Sequence, residues 1–301
     1  MKKLAIALVA LLLVACTKNE VNITPLPNKV DVSWGQFLVN NHTSCFIDPE
    51  VIDTELLCKN VTQVFPQITF SGKNLDRNQL QFFHADTLGS EAYELNVTPS
   101  KIIIKASSGA GFFYALQTLK QCEQNGEIPC MRVCDSPRFA YRGMHLDVSR
   151  HFDWVDFVKK YIDMLALHNM NTFHWHLTEN QAWRFEVKSY PKLTSSASMT
   201  RFPGQYYTQE DCKRVMEAAK KHGVIVIPEI DMPGHSEAFE RAMGFNMQSA
   251  EGKVVLKKVI DEAVEVFADA PYIHIGGDEV STNAAYLNEM LDYVKSKGKN
   301  G

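Results

Sequence analysis

With 301 residues, 45% of them hydrophobic and 22% charged, the chain has apolar material for one large or two ordinary globular domains. Its net charge of −4 and its scattered lysines offer no basic face, which excludes nucleic acid as an expected partner. Any substrate is expected to be recognised by something other than bulk charge.

Lys2 and Lys3 precede an unbroken apolar run from Leu4 to Ala15, followed by Cys16. A bilayer span takes about 17–25 apolar residues, so this shorter run reads as a secretory signal peptide over residues 1–15. Its ending, Leu13-Val14-Ala15-Cys16, resembles the bacterial lipobox, which implies cleavage before Cys16 and diacylation of that cysteine. The expected product is a lipid-anchored protein of the bacterial cell envelope. Residues 16–28, polar and proline-containing, read as its tether. The six remaining cysteines show no C-x-x-C spacing and no attendant histidine pair, which argues against a zinc site among them. An oxidising envelope permits disulfides within the cluster at 122–134.

Residues 29–130 predict a small α+β domain. VDVSW, QLQFFHA, AYELNVT and KIIIKAS alternate or are rich in β-branched side chains, as strands are, and GAGFFYALQTLKQCE predicts a helix entered through glycines. From 138 to 301 short apolar strands alternate with amphipathic helices. GMHLDV is followed by a helix with Asp153 as its N-cap and a stripe of Trp154, Val158, Tyr161 and Leu165. NTFHWHL, VIVIPEI and YIHIGG predict three further strands; Thr208 opens and Gly223 closes the helix before VIVIPEI. Such alternation means a parallel sheet covered by helices, either a (β/α)8 barrel or a doubly wound sheet.

The placement of polar residues favours the barrel. Asp147 and Arg150, then Glu179, then Asp231 and His235, then Asp278 and Glu279 follow the C-terminal ends of four successive strands, where this fold builds its sites. No G-x-G-x-x-G loop follows an early strand. The pair Asp278-Glu279 can divide acid and base duties between an ionised and a protonated carboxyl, although an acidic pair ahead of a helix also serves simply to offset the helix dipole. His174 and His176 share one face of their strand, either as metal ligands or as packed, hydrogen-bonded residues, and no further histidine strand is read. His235 sits in a proline-glycine turn. Arg142, at the start of the first strand, is open to a salt bridge or to binding sugar hydroxyls.

Together YRGMHLDVSRHF, FHWHLTENQAWR, VIPEIDMPGH and YIHIGGDE resemble, in order and spacing, the motifs of glycoside hydrolase family 20, the β-N-acetylhexosaminidases. The resemblance spans about residues 29–298. It implies a TIM-type barrel behind an α+β domain, and retaining, substrate-assisted hydrolysis of N-acetylhexosamine-containing glycans without metal or organic cofactor. It makes Glu279 the general acid/base and Asp278 the residue that orients the substrate acetamido group. Arg142 becomes a ligand of sugar hydroxyls, and His235, Glu179 and Asp231 become supports of Glu279. Glu179 and Asn180 stand where the family usually carries Asp-Asp. The resemblance further implies that 138–301 supply only about the first four strand–helix units of the barrel. On that reading the tyrosine and tryptophans of the family's sugar pocket lie in later strands, and this chain alone is expected to be inactive. Two other readings stay open at this level: a non-catalytic glycan-binding lipoprotein and a metal-dependent TIM-barrel hydrolase.

Overall fold

The computed structural model describes residues 21–278, 280 and 283–301. The run read as a signal, the expected anchor residue Cys16 and the expected acid/base residue Glu279 lie outside the described residues. Between Ala140 and Tyr141 the chain divides into two compact units.

The first unit contains strands β1 (Lys29–Leu38), β2 (Ser44–Ile47), β3 (Thr69–Phe70), β4 (Gln79–His84), β5 (Tyr93–Val97), β6 (Lys101–Ala106) and β7 (Glu127–Asp135), with helices α1 (Thr54–Val64) and α2 (Gly109–Cys122). They form one mixed sheet in the order β1-β7-β5-β6-β4-β2-β3, antiparallel from β1 to β6 and parallel from β6 to β3. Tyr93, Leu95 and Val97 on β5 and Ile102, Ile104 and Ala106 on β6 are buried, every second residue, because alternate side chains share a face. Helix α2 covers β5, β6 and β7. It can come this close because a Cβ on Gly111 would stand 2.3 Å from the Ala92 carbonyl oxygen.

Three expectations for this unit change. The domain does not stop at 130: β7 runs to Asp135 between β1 and β5, an assignment that Pro129 argues against in sequence because it has no N–H for the ladder. The strand accommodates it where the register of β1 shifts between Val32 and Gln36, at Gly35 with φ +95°. Residues 23–28 are no loose tether. Ile23 is buried, Thr24 N–H donates to Gln121 Oε1 (2.8 Å), and Asn28 N–H donates to Asp135 Oδ1 (3.0 Å). Finally, the six described cysteines are free thiols. Cys130 and Cys134 sit on one strand about 13 Å apart at a rise of about 3.3 Å per residue, well beyond the roughly 7 Å a disulfide spans.

The second unit opens with β8 (Gly143–Asp147), α3 (Val155–Leu167), β9 (Thr172–His176), α4 (Gln209–Lys221) and β10 (Ile225–Glu229). Helices α5 (Glu237–Met243), α6 (Ala250–Val266) and α7 (Ala284–Ser296) follow. The three strands are parallel, in the order β10-β9-β8, and their register sets Asp147 beside His176 and His176 beside Glu229. Helix α3 packs on β9 and α4 on β10, each returning the chain to the start of the next strand. This is an α/β architecture of the TIM-barrel type. Among the described residues the sheet is open, not a closed barrel.

YIHIGG runs parallel to β10: Glu229 and His274 form a bridge, with His274 N–H on the Pro228 carbonyl (2.9 Å) and Ile230 N–H on the His274 carbonyl (3.0 Å), and beyond the strand Met232 N–H reaches the Ile275 carbonyl (2.9 Å). Gly276 and Gly277, at φ +66° and +106°, take the chain out of extended geometry. Tyr272 bridges Asn300 on the other side. The residue that caps α3 is Trp154, not Asp153, and its buried stripe is Val155, Val158, Ile162 and Leu165, with Trp154 exposed. Thr208 caps α4 as expected, in a reciprocal capping box with Asp211. The irregular stretch between β9 and α4 is organised by a single buried cation, Arg184. No helix among the described residues is long and apolar enough to cross a membrane.

Candidate active site

Parallel strands place their carboxyl ends side by side, so residues on one face, two apart, are delivered to a common mouth. Here they line a pocket of about 470 Å³ in the second unit. Strand β8 delivers His145, and the turn after it Arg150; β9 delivers His174 and His176; β10 and the turn that follows deliver Glu229, Asp231 and His235; the 272–278 segment delivers His274 and Asp278.

Glu179, almost wholly buried, is the anionic centre of one side. Its Oε1 lies 2.5 Å from His235 Nδ1 and also accepts from Arg150 Nη2, while its Oε2 accepts the Asn180 N–H. The extra methylene of glutamate therefore still reaches His235. His235 itself adopts φ +49°, a left-handed conformation in the turn that swings it back toward Glu179. That turn lies against the fourth strand segment, for a Cβ on Gly234 would stand 3.5 Å from the Asp278 carbonyl oxygen.

Arg150 also donates to Asp147 Oδ2 (2.6 Å), and the N–H groups of Ser149 and Arg150 reach Asp147 Oδ1 at 2.9 and 3.0 Å. Burial pushes the Asp147 carboxyl up, but these donors outweigh it and hold the group below its ordinary range.

Arg142 is elsewhere. It precedes β8, at the amino end of the strand, where Nε donates to the Asn169 carbonyl (2.7 Å) and its own N–H to Asn171 Oδ1 (3.0 Å). It ties the α3–β9 turn to the sheet at the end away from the pocket and is not among the described residues that line it, contrary to the expectation of a sugar ligand. Arg150, at the opposite end of the same strand, lines it.

Glu229 is the second anionic centre, and sequence reasoning did not select it. Its Oε2 lies 2.8 Å from His174 Nε2 and 2.7 Å from His176 Nδ1; its Oε1 lies 3.0 Å from His274 Nδ1. His145 Nε2 stands 3.7 Å from Oε2. The expectation of no further histidine strand is thereby corrected: every strand of this sheet, and the segment beside it, presents a histidine or its carboxylate partner. The signal was available in the period-two pairs His145/Asp147, His174/His176 and Glu229/Asp231, one per strand.

Burial opposes ionisation of Glu229, but the histidines around it prevail and hold it well below the usual carboxylate range. Burial likewise lowers His176, and Glu229 more than restores it, leaving the imidazole above its ordinary value; His274 is raised by Glu229. Asp231, nearly inaccessible, is pushed up to about 6 by burial and then by the Glu229 charge. Only glycine at 276 permits this crowding, since a Cβ there would stand 1.7 Å from Asp231 Oδ1.

These shifts have a sign. An acid raised in the folded state is a cost above its folded value, and that cost fades as pH falls toward its ordinary 3.8. A raised histidine contributes stability below its unfolded value and loses it as pH climbs through the folded one; Glu229, depressed, keeps its contribution until strong acid. The second unit should therefore be more stable at pH 6 than at pH 8. Asp231→Asn should stabilise it by about 3 kcal/mol at pH 8, taking 1.36 kcal/mol per unit, and by little at pH 4. Urea unfolding at the three pH values measures this, and an equal effect at all three would refute the charge argument.

Comparison with known proteins agrees in both units. The family described as "Glycosyl hydrolase family 20, catalytic domain" matches residues 139–253, and "Glycosyl hydrolase family 20, domain 2" matches residues 20–136. A beta-hexosaminidase of Porphyromonas gingivalis is 34% identical over 305 residues, covering 86% of this chain; the chain spans only 39% of that protein's length. The crystal structure of a beta-N-acetylhexosaminidase from Bacteroides fragilis superposes with a TM-score of 0.82 at 31% identity, covering 92% of this chain and 64% of that one. A GH20 exo beta-N-acetylglucosaminidase from Vibrio harveyi, solved in complex with N-acetylglucosamine, superposes with a TM-score of 0.78 at 28% identity, covering 94% and 55%.

Proposed function

The chain belongs to glycosyl hydrolase family 20, and from that membership we propose that, within a complete barrel, it removes terminal β-linked N-acetylhexosamine from glycans by a retaining, substrate-assisted mechanism. The observation that carries the reading is that His235, held by the buried Glu179, and Asp278, which immediately precedes Glu279 in the chain, line one pocket.

Glu279, protonated, donates to the glycosidic oxygen while the acetamido oxygen of the substrate attacks the anomeric carbon. The C–O bond to the leaving group breaks and an oxazolinium ring closes. Asp278 accepts a hydrogen bond from the acetamido N–H and offsets the positive charge of that ring. Water, losing its proton to Glu279, then opens the ring and restores the acid. The buried Glu179–His235 pair supports Glu279 through its charge, and Asp231, in the turn after β10, adds to that support. Arg150, in place of Arg142, contributes guanidinium donors to sugar hydroxyls. The finer architecture in this proposal is a (β/α)8 barrel whose first four strand–helix units fall within 138–301.

The test is incubation of a protein carrying the complete barrel with an aryl β-N-acetylglucosaminide and with its 2-deoxy counterpart lacking the acetamido group. Turnover of the first alone supports the reading. Comparable turnover of both would eliminate substrate assistance, and sugar binding without turnover would leave the non-catalytic glycan-binding alternative.

The proposal extends to location: Lys2, Lys3, the apolar run and Cys16 support a lipid anchor in the cell envelope. Each buried methylene of such an anchor adds about 0.8 kcal/mol to membrane binding, so Cys16→Ala should move the protein from the membrane to the soluble fraction. Failure of the intact chain to incorporate labelled fatty acid would end that assignment.

A further inference from the structure

The four imidazoles around Glu229 are more than the proposed hydrolysis requires. Glu229 Oε2 is approached by His174 Nε2 at 2.8 Å and His176 Nδ1 at 2.7 Å, which leaves His145 Nε2, at 3.7 Å, beyond hydrogen-bond reach of it. The second nitrogen of His176, Nε2, is buried with no hydrogen-bond partner among the described residues. The rings stand close together: His145 and His174 have centroids 4.8 Å apart and His174 and His274 4.7 Å apart.

We propose that His145, His174 and Glu229 form a binding site for a late first-row divalent metal ion of the zinc class. One donor atom from each of the three lies within 4.8 Å of the other two. An ion held tetrahedrally at about 2.0–2.1 Å by nitrogen and oxygen needs its donors about 3.3 Å apart. The present separations of 2.8 and 3.7 Å from Glu229 bracket that value. His145 is the donor free to adjust, its side chain being 49% exposed. Two histidines and one glutamate, with a fourth position open to a pocket, is the composition of three-ligand zinc sites that keep a water. Imidazole donors select zinc, nickel or copper over magnesium. His176 and His274 remain as outer partners of the Glu229 carboxylate, the arrangement that orients and strengthens a metal-binding carboxylate. His176, Glu229 and Asp231 form an overlapping cluster of the same kind, deeper in the pocket.

The site uses none of Asp278, Glu279, Glu179 or His235. Ion and sugar would nevertheless compete for one pocket, a consequence that rests on the hydrolase reading; the binding measurement does not.

The experiment is calorimetric titration of the untagged, metal-stripped protein with Zn²⁺, then Ni²⁺ and Mg²⁺. One Zn²⁺ per chain should bind with a Kd of about 10 μM or tighter, weaker than closed four-ligand structural sites. Mg²⁺ should not bind. His145→Gln and His174→Gln should each weaken Zn²⁺ binding by more than about 100-fold, above the range lost with an outer partner, whereas His84→Gln in the first unit should leave it unchanged. Circular dichroism and urea midpoints establish that each variant is folded; His145→Gln alters a half-exposed side chain, so the test survives if His174→Gln does not fold. Zn²⁺ binding weaker than about 10 μM, or binding that His145→Gln leaves intact, would overturn the assignment.

Discussion

Replacing Arg184 by methionine should destabilise the second unit by at least about 4 kcal/mol, a loss reserved for changes that strand buried polar groups. Arg184 is fully buried. Its guanidinium donates to five backbone carbonyls: Nε to Val148 (3.3 Å), Nη1 to Phe202 (3.0 Å) and Gln205 (2.6 Å), Nη2 to Ser149 (3.0 Å) and Arg201 (2.9 Å). These carbonyls come from the turn after β8 and from the irregular stretch ahead of α4, segments with no ladder of their own to satisfy them. The planar fork of arginine matches five acceptors at once, and the ring of Phe152 lies 5.4 Å from its central carbon. Burial pulls the guanidinium down to about 10, so it stays charged at neutral pH. Methionine keeps the length and apolar stem but none of the donors. Arg184→Lys should recover part of the loss through one ammonium. Urea unfolding measures both, and a loss below about 1 kcal/mol for methionine would mean that water replaces the fork.

The same residue shows where sequence reading stops. FHWHLTENQAWR points to its histidines and to Glu179, because a strand's period of two and the turn after it predict which side chains lie at the strand's carboxyl end. Nothing local distinguishes Arg184 from a surface arginine. Its five acceptors lie up to 36 residues away in sequence, and only the folded path brings them together. Arg142 and Arg150 make the converse case. Both flank β8, and a parallel strand of five residues, about 13 Å long at a rise of about 3.3 Å per residue, carries them to its opposite ends. Strand direction was legible, and with it the rule that sites sit at carboxyl ends; applied to this pair, it selects Arg150. The alternation in β5 and β6, the capping box at Thr208 and the helix at Gly109 were readable because each is fixed by neighbours in sequence. The extent of β7 was not, since Pro129 is tolerated only through a register shift in a strand distant in sequence.

In a protein carrying the complete barrel, Glu279→Gln should lower turnover of substrates with poor leaving groups by about 10²–10⁴-fold, the usual worth of a general acid. Glutamine fills the same volume but has no proton to give the departing oxygen. Activated aryl glycosides, whose leaving groups need little protonation, should lose much less in the ring-closing step. Asp278→Asn should behave differently. Asp278 contributes charge, not a proton, and it lines the pocket beside His274 and Asp231. Its neutral amide would present N–H groups where the acetamido N–H needs an acceptor, and would leave the oxazolinium charge without its counter-ion. Every substrate depends on that ring, so the loss should be similar for good and poor leaving groups, about 10²–10³-fold by analogy with deletion of one electrostatic contact to a developing charge. The measurement is kcat/KM for a series of aryl β-N-acetylglucosaminides of graded leaving-group pKa, with both variants and the parent. A steepened dependence for Glu279→Gln and a parallel drop for Asp278→Asn is the expected pattern. If the two variants instead show the same slope, the separate roles assigned to the adjacent carboxylates do not hold.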